Sequence, residues 1–343
     1  MIDILELFFF SVILIATNFF FLKKNILIDV PNIEKHKRKI FFSKKVPKSL
    51  GLILGLFILY KFEYDFYQKL FIALIFVLGV LSDSKKINSP KVRFFIQTII
   101  IFFALIYSQN LITDTRIPFV DYILQFETIK LILTLFCILI VVNGSNFIDG
   151  LNTLCIGYYL SISIILYLLN TNLIFPIQLI HFFILIMGIL FLFNFFGKSF
   201  LGDGGSYLLG FTFSAILIEL HNKNPEISPW FFAVLLWYPA FEILFSIIRR
   251  SYQNKNPFLP DNAHFHQLIY LYFKKKYNIN TPFLNPIVAN LINFFNLVIF
   301  LFALSNMNKT TTLIGVFMFN CLIYLGIYFL LKKKFLAPKF SKK

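Results

Sequence analysis

Long apolar runs recur along the whole chain and restrict its fold more than any other feature of the sequence. Many of them approach the roughly 20 residues that a helix needs to cross the hydrocarbon core of a bilayer. Of the 343 residues, 58% are hydrophobic and 14% are charged, against about 45–50% and about 25% in an average soluble domain. Helices that are apolar all round are not covered by one soluble core. The sequence therefore predicts an all-α polytopic membrane protein.

Charged residues and clusters of Pro, Gly and Asn separate the apolar runs and mark their ends. The first run is as long as a secretion signal, but Asp3 and Glu6 stand where such a signal is basic. We therefore expect it to remain as the first helix of a single integral membrane transferase domain over residues 1–343. Eleven transmembrane helices are predicted, at residues 3–22, 48–60, 66–82, 92–108, 129–143, 151–169, 174–194, 206–221, 229–248, 286–304 and 311–331.

Lys and Arg residues are distributed unevenly between alternate loops. If the N-terminus is outside, the inner loops and the basic tail 332–343 hold 26 of the 32 basic residues. The positive-inside rule then predicts an outer N-terminus and a cytoplasmic C-terminus. The net charge of +16 is explained by this orientation and by attraction to anionic lipid headgroups. It requires no nucleic-acid partner.

Five polar clusters lie at the ends of the predicted spans, all on the predicted inner side. The first follows the first span and ends on His36, which suits anion binding; a plain basic loop is the alternative. The second combines Asp83 with Lys91 and Arg93. A carboxylate opposite basic residues suits metal or proton handling beside a phosphate. A connector whose basic residues only orient the chain is the alternative.

The third cluster repeats a polar residue at every third position, namely Asn143, Asn146 and Asp149. On a helix this spacing forms one polar stripe. A polar stripe between two apolar spans is unfavourable unless its side chains find partners. We interpret it as one wall of a polar site; hydrogen bonding between helices is the alternative.

The fourth cluster contains Asn194 and a Gly-rich turn, Gly202-Asp203-Gly-Gly-Ser206, which opens a predicted helix. Backbone N–H groups at such a helix start bind anions, and the carboxylate can hold a cation. Magnesium prefers one or two carboxylates plus substrate phosphates. A tight interhelical turn is the alternative.

The fifth cluster contains Asp261, His264 and His266. Two His residues two positions apart in an extended stretch point the same way, so they suit binding of a nucleotide or phosphate. A structural metal site and a solvated loop without a special role are the alternatives.

Taken in order, the clusters resemble the polyprenyl-phosphate N-acetylhexosamine-1-phosphate transferase superfamily (glycosyltransferase family 4). Five stretches carry the resemblance: Asn143-x-x-Asn-x-x-Asp-Gly, Phe200-x-Gly-Asp-x-Gly-Ser206, Asp29-x-Pro-Asn with His36, Lys91-x-Arg93-x-x-x-Gln97 and His264-x-His266. The resemblance implies transfer of a sugar-1-phosphate, with N-acetylhexosamine-1-phosphate expected, from a UDP-sugar to undecaprenyl or another polyprenyl phosphate, releasing UMP. This reaction starts a cell-envelope polysaccharide such as O-antigen, at the cytoplasmic face of the inner membrane.

The resemblance also implies roles for single residues. Asp203 corresponds to a magnesium ligand or central carboxylate, and Asp149 to a second catalytic and metal-binding carboxylate. Asp83 matches the carboxylate thought to engage the lipid phosphate. The expected cofactor is Mg²⁺, with Mn²⁺ as an alternative, and a homodimer is an open alternative to a monomer. The implied substrate-binding residues are His36, Lys91, Arg93, Asn143, Asn146, Asn194, Gly202, Ser206, Asp261, His264 and His266.

Four positions depart from the family pattern: Ser82, Asn152, Glu242 and Asn262. Ser82 stands where the first Asp of a pair is usual, and it removes one candidate proton acceptor. A phosphate monoester has a second pKa of about 6, so the lipid phosphate needs no strong base and we expect an active enzyme. The alternatives are an inactive membrane scaffold and a lipid or solute transporter. A transporter would place ionisable groups near mid-membrane.

Overall fold

The computed structural model describes residues 4–29, 45–61, 65–169, 177–254, 256, 261, 263–277 and 281–335. About 80% of these residues are helical, which is consistent with the predicted all-α polytopic membrane protein; one pair of two-residue strands is added. The elements are α1 Ile4–Lys24, β1 Ile28–Asp29, β2 Val46–Pro47, α2 Leu50–Lys61, α3 Phe66–Asp83, α4 Pro90–Ser108, α5 Pro118–Ile123, α6 Glu127–Ile148, α7 Leu154–Leu169, α8 Ile177–Phe195, α9 Gly202–Lys223, α10 Pro229–Leu235, α11 Trp237–Tyr252, α12 Phe265–Tyr277, α13 Leu284–Leu304 and α14 Thr310–Phe335.

Six of the described helices are long and apolar enough to cross a membrane, namely α1, α3, α4, α6, α13 and α14. A seventh candidate span is formed by α10 and α11 together, and three shorter apolar helices accompany them. Large hydrophobic side chains such as Phe8, Phe95 and Phe294 are exposed on these helices. Apolar surface of this extent suits contact with lipid. The count of eleven spans and the orientation of the termini stay predictions.

The predicted span 229–248 is not one straight helix, because α10 and α11 meet at an angle of 70°. Pro239 lies in the first turn of α11 and has no backbone N–H to donate to the carbonyl of Leu235. The hydroxyl of Tyr158 donates to that carbonyl instead, over 2.8 Å. A bend inside a membrane is tolerated when neighbouring side chains satisfy the freed backbone groups.

Helix α9 lies at the centre of the protein and packs against α2, α3 and α6. Glycines let the backbones approach closely: a Cβ added to Gly79 of α3 would lie 2.5 Å from the Cα of Gly204 of α9. Small residues allow such contacts between membrane helices. The close contact brings the C-terminal end of α3 to the N-terminal end of α9, where the second and fourth polar clusters meet.

The short strands β1 and β2 pair antiparallel, with Ile28 opposite Pro47. The carbonyl of Pro47 accepts hydrogen bonds from the backbone N–H of Phe200 (2.8 Å) and the hydroxyl of Ser199 (2.9 Å). These bonds dock the chain before α2 against the residues that precede α9. They place Lys48, the next residue, beside the start of α9.

Replacing Gly144 by Ala is expected to destabilise the protein, because the added Cβ would overlap the backbone carbonyl of Pro239 on α11. Overpacking of this kind costs about 1–3 kcal/mol, and more where backbone must shift. Thermal unfolding in detergent measures the effect. The matched control is Gly315→Ala, because nothing lies within 4 Å of a Cβ at Gly315. Equal unfolding temperatures for the two variants would contradict the close α6–α11 contact.

Candidate active site

Side chains from three helices converge on Asp203 at the start of α9. One carboxylate oxygen accepts hydrogen bonds from the hydroxyl of Ser82 on α3 and from the guanidinium of Arg93 on α4, the latter over 2.6 Å. The other accepts from the amide of Asn146 on α6, also over 2.6 Å. The Asp203 side chain is about a quarter exposed. The cluster is therefore held by tertiary contacts and remains accessible.

Asp83, the last residue of α3, is buried against the start of α9. Its carboxylate accepts hydrogen bonds from the backbone N–H groups of Asp203 (3.1 Å) and Gly204 (2.9 Å). A carboxylate in this position satisfies two of the unpaired N–H groups of α9 and interacts favourably with the helix dipole. Gly202 has a φ of +73°, and a Cβ there would lie 2.6 Å from the Asp83 carboxylate. The turn therefore requires glycine.

Lys48 completes this group from a distant part of the chain. Its ammonium lies 3.2 Å from the Asp83 carboxylate, and both side chains are largely buried. Burial lowers the pKa of Lys48, but nearby carboxylates, chiefly Asp83, outweigh burial and raise that pKa above its usual value. Lys48 is therefore a fixed positive charge beside the acidic cluster, although the sequence motifs do not include it.

The predicted polar stripe lies on the last turns of α6, which ends at Ile148. Asn146 also donates to the hydroxyl of Ser206, over 3.2 Å. The amide of Asn143 donates to the side chain of Gln97 on α4, over 2.8 Å. Asp149 caps the C-terminal end of α6 and is half-buried. The stripe thus joins α6 to both α4 and α9.

The turn that follows Asp149 is held by asparagines from other helices. Asn285 of α13 accepts a hydrogen bond from the backbone N–H of Asn152, over 2.7 Å. Asn194 of α8 accepts from the backbone N–H of Thr153, and Asn293 of α13 donates to the Thr153 carbonyl over 2.9 Å. Asn194 is buried, and its amide also donates a hydrogen bond to the backbone carbonyl of Ser199. In this structure Asn194 therefore orders the turn rather than facing an open pocket.

The two His residues of the fifth cluster pack against the end of α6. Their rings are parallel with centroids 5.7 Å apart, and the ring of His264 also contacts Phe147 of α6. His266 is fully buried, with its ring against Gly150. Burial lowers the pKa of His266 to about 3, so this imidazole is neutral near pH 7. The end of α6 and the turn at residues 149–150 therefore contact the His pair directly.

Asp261 is paired with two arginines at the end of α11. Its carboxylate accepts hydrogen bonds from Arg249 and, over 3.4 Å, from Arg250, and it also accepts from the backbone N–H of Ala263. Burial raises the pKa of Asp261, but the hydrogen bond and charge of Arg249 outweigh burial and hold this pKa at about 2. These contacts anchor the segment that leads to His264.

This lowered pKa predicts a loss of stability in acid. The Asp261 carboxylate contributes stability above its unfolded value of 3.8, and the contribution disappears as the pH falls through about 2. We therefore expect the wild type to unfold at a higher temperature than Asp261→Asn above that window, and the difference to shrink towards pH 2. Thermal unfolding in detergent as a function of pH measures this. A pH-independent difference would contradict the assignment.

The structure thus gathers most of the residues predicted for the site into two neighbouring groups. Lys91 is exposed at the start of α4, and His36 and Asn262 lie outside the described residues. Sequence reasoning missed Lys48, Asn285 and Asn293. The Asn residues of α13 stand out in an apolar helix, but Lys48 has no local feature that distinguishes it from neighbouring lysines.

Among the described residues, no group of three or more His, Cys, Asp and Glu side chains is arranged to hold a metal ion. The carboxylates of Asp203 and Asp149 are nevertheless the hard oxygen donors that Mg²⁺ accepts, and one or two suffice when substrate phosphates supply further oxygens. The donor chemistry therefore fits a magnesium ion that binds together with a phosphorylated substrate.

Comparison with known proteins adds an independent observation. The family model described as glycosyl transferase family 4 matches residues 66–221. The undecaprenyl-phosphate alpha-N-acetylglucosaminyl 1-phosphate transferase of Escherichia coli (strain K12) is 27% identical over 290 residues, which cover 76% of this chain and 74% of that protein. A probable undecaprenyl-phosphate N-acetylglucosaminyl 1-phosphate transferase of Bacillus subtilis (strain 168) is 32% identical over 201 residues, covering 56% of this chain and 54% of that protein.

Proposed function

The chain belongs to the polyprenyl-phosphate sugar-1-phosphate transferases of glycosyl transferase family 4, and we propose that it transfers a sugar-1-phosphate from a UDP-sugar to undecaprenyl phosphate. The observation that carries this proposal is the convergence of Ser82, Arg93 and Asn146 on Asp203. The match over residues 66–221 includes all four of these residues. The relatives named above support N-acetylglucosamine-1-phosphate as the transferred group.

The proposed reaction is a direct phosphoryl transfer. An oxygen of the lipid phosphate forms a bond to the phosphorus that carries the sugar. The bond from that phosphorus to the bridging oxygen breaks, and UMP leaves with the electron pair. Positioning and charge neutralisation dominate such reactions. Lys48 and Arg93 supply fixed positive charges beside the two carboxylates for this purpose.

The proposed roles of the carboxylates follow from their surroundings. Asp203 is partly exposed and would hold Mg²⁺, with Asp149 as a second ligand; when bound, the ion would neutralise charge on the pyrophosphate. Asp83 is mostly buried, and its oxygens accept from the backbone of α9. We assign Asp83 first to holding the start of α9, next to the place where the lipid phosphate is proposed to lie.

We also propose that the chain crosses the inner membrane eleven times, with the site at the cytoplasmic face. The six long spans, the bent pair, the three shorter apolar helices and α9 supply this number of crossings. Helices α1, α12 and α14 each carry two or three lysines in their last turn. The positive-inside rule places such ends in the cytoplasm.

Release of UMP from a panel of UDP-sugars tests the proposal. Purified protein in detergent is incubated with undecaprenyl phosphate, with magnesium or with a chelator. We expect UMP release that requires lipid and metal and is fastest with UDP-N-acetylglucosamine. Folded protein that releases no UMP from any donor would contradict the proposal and favour an inactive scaffold in which Ser82 marks a lost activity.

A further inference from the structure

A buried carboxylate, Glu242 of α11, lies next to the His pair. It is completely buried, and a buried charge is unfavourable unless it is paired and hydrogen-bonded. One of its oxygens lies 2.9 Å from Nδ1 of His264 and 3.4 Å from the backbone N–H of Phe265. The other accepts a hydrogen bond from the hydroxyl of Tyr324 on α14, over 2.8 Å. Three donors from two other parts of the chain thus meet one carboxylate.

These contacts determine which ring nitrogen of His264 carries a proton. A carboxylate accepts hydrogen bonds and does not donate them, so Nδ1 of His264 must carry a proton when it bonds to Glu242. The ring of Phe265 stacks on Tyr324 with centroids 4.4 Å apart, which holds the segment from the opposite side. The second ring nitrogen, Nε2, has no hydrogen-bond partner among the described residues, although His264 is only 7% exposed.

The position of that second nitrogen points to a ligand. The ring of His264 contacts Phe147, two residues before Asp149 on α6. Asn146, at the same end of α6, donates a hydrogen bond to Asp203. The His pair and the Asp203 group therefore both contact this end of α6. Unlike both ring nitrogens of His266, Nε2 of His264 is accessible from outside the protein, so it is available to accept a hydrogen bond from a bound molecule.

We propose that Glu242 and Tyr324 are positioning residues, which fix His264 as the Nδ1–H tautomer so that Nε2 faces the bound UDP-sugar. This proposal deepens the function proposed above and rests on it for the identity of the ligand. It gives α14, the last of the described helices, a part in substrate binding through the hydroxyl of Tyr324. A carboxylate behind a ligand-binding imidazole sets its tautomer and orientation in this way.

The test uses the variant Glu242→Leu/Tyr324→Phe, in which both members of the Glu242–Tyr324 hydrogen bond become apolar side chains of similar size. Nδ1 of His264 and the backbone N–H of Phe265 lose their carboxylate acceptor, so thermal unfolding in detergent is measured beside the kinetics. We expect the KM for the UDP-sugar to rise and kcat/KM to fall about 10–100-fold, the range for losing a carboxylate that orients a binding imidazole. The KM for undecaprenyl phosphate should not change.

Tyr324→Phe alone is the intermediate variant: it keeps the Glu242 carboxylate against His264 but removes the hydroxyl that holds this carboxylate, so kcat/KM should fall less than in the double variant. Imidazole ¹⁵N NMR reads the tautomer directly and without turnover. The His264 resonances are assigned among five His residues with a His264→Gln variant. We expect the Nδ1–H tautomer of His264 in the wild type and a mixture of the Nδ1–H and Nε2–H tautomers in the double variant.

The NMR result separates this inference from the proposed function. If the wild type transfers no sugar-1-phosphate but shows the Nδ1–H tautomer, the positioning of His264 is supported and the proposed transferase function is contradicted. A wild type without that tautomer would overturn the inference. So would a double variant that changes only the unfolding temperature, because that outcome describes a structural role alone.

Discussion

Asp203→Asn is expected to lower sugar-1-phosphate transfer by about 10²–10³-fold, the usual loss when one electrostatic contact to a transition state is removed. The Asn amide carries no negative charge to bind a metal ion. Its NH2 group donates hydrogen bonds, whereas both oxygens of the Asp203 carboxylate accept them. Arg93 loses its ion-pair partner. The variant should still fold, because the start of α9 is held by Asp83.

The measurement is UMP release at saturating donor and lipid, together with thermal unfolding. Asp65→Asn is the matched control, since Asp65 caps the opposite end of α3 and Asn is an equally good N-cap residue. It should leave transfer unchanged. If Asp203→Asn keeps more than about a tenth of the wild-type rate, Asp203 is not the central carboxylate, since 10²-fold or more is expected.

Asp83→Ala is expected to destabilise the protein by about 3–5 kcal/mol, because removing one partner of a buried ion pair leaves the other charge uncompensated. Lys48 would be the uncompensated charge. Two backbone N–H groups at the start of α9 would also lose their acceptor. The unfolding temperature and the yield of folded protein in detergent measure the loss.

A double-variant cycle separates the structural role of Asp83 from a chemical one. Asp83→Asn, Lys48→Met and their combination are compared for unfolding temperature and transfer rate. Residues in direct contact couple by about 0.5–3 kcal/mol, so we expect the combination to be more stable than the sum of the single effects predicts. If Asp83 also engages the lipid phosphate, the combination transfers sugar-1-phosphate more slowly than Lys48→Met alone. Additive effects on stability would contradict the Lys48–Asp83 contact.

Local sequence patterns located much of the candidate site. The three-residue spacing of Asn143, Asn146 and Asp149 indicated a helix face, because the period of a helix is short and is visible in consecutive residues. Asn143 and Asn146 lie on α6, whereas Asp149 is its C-terminal cap. The Gly-rich turn before α9 was recognisable for the same reason, since a positive φ such as that of Gly202 favours glycine.

Other features depended on contacts that a local pattern does not contain. The predicted span 229–248 is bent at Leu236. The bend is tolerated because the hydroxyl of Tyr158, on another helix, donates a hydrogen bond to the carbonyl that the bend leaves free. Helix α12 lies in a stretch predicted to be a loop. His264 and His266 were expected to point the same way in an extended strand. They instead lie at the start of α12, with parallel rings and different burial.

By itself, the sequence determined the class of protein, the approximate spans and the polar clusters, because hydropathy and helical period act over neighbouring residues. The tertiary structure decided which clusters meet. Lys48 reaches Asp83 from the segment between β2 and α2, and Tyr324 reaches Glu242 from α14. The physical reason is that a buried charge needs a partner at hydrogen-bond distance, and only helix packing determines which side chain that partner is.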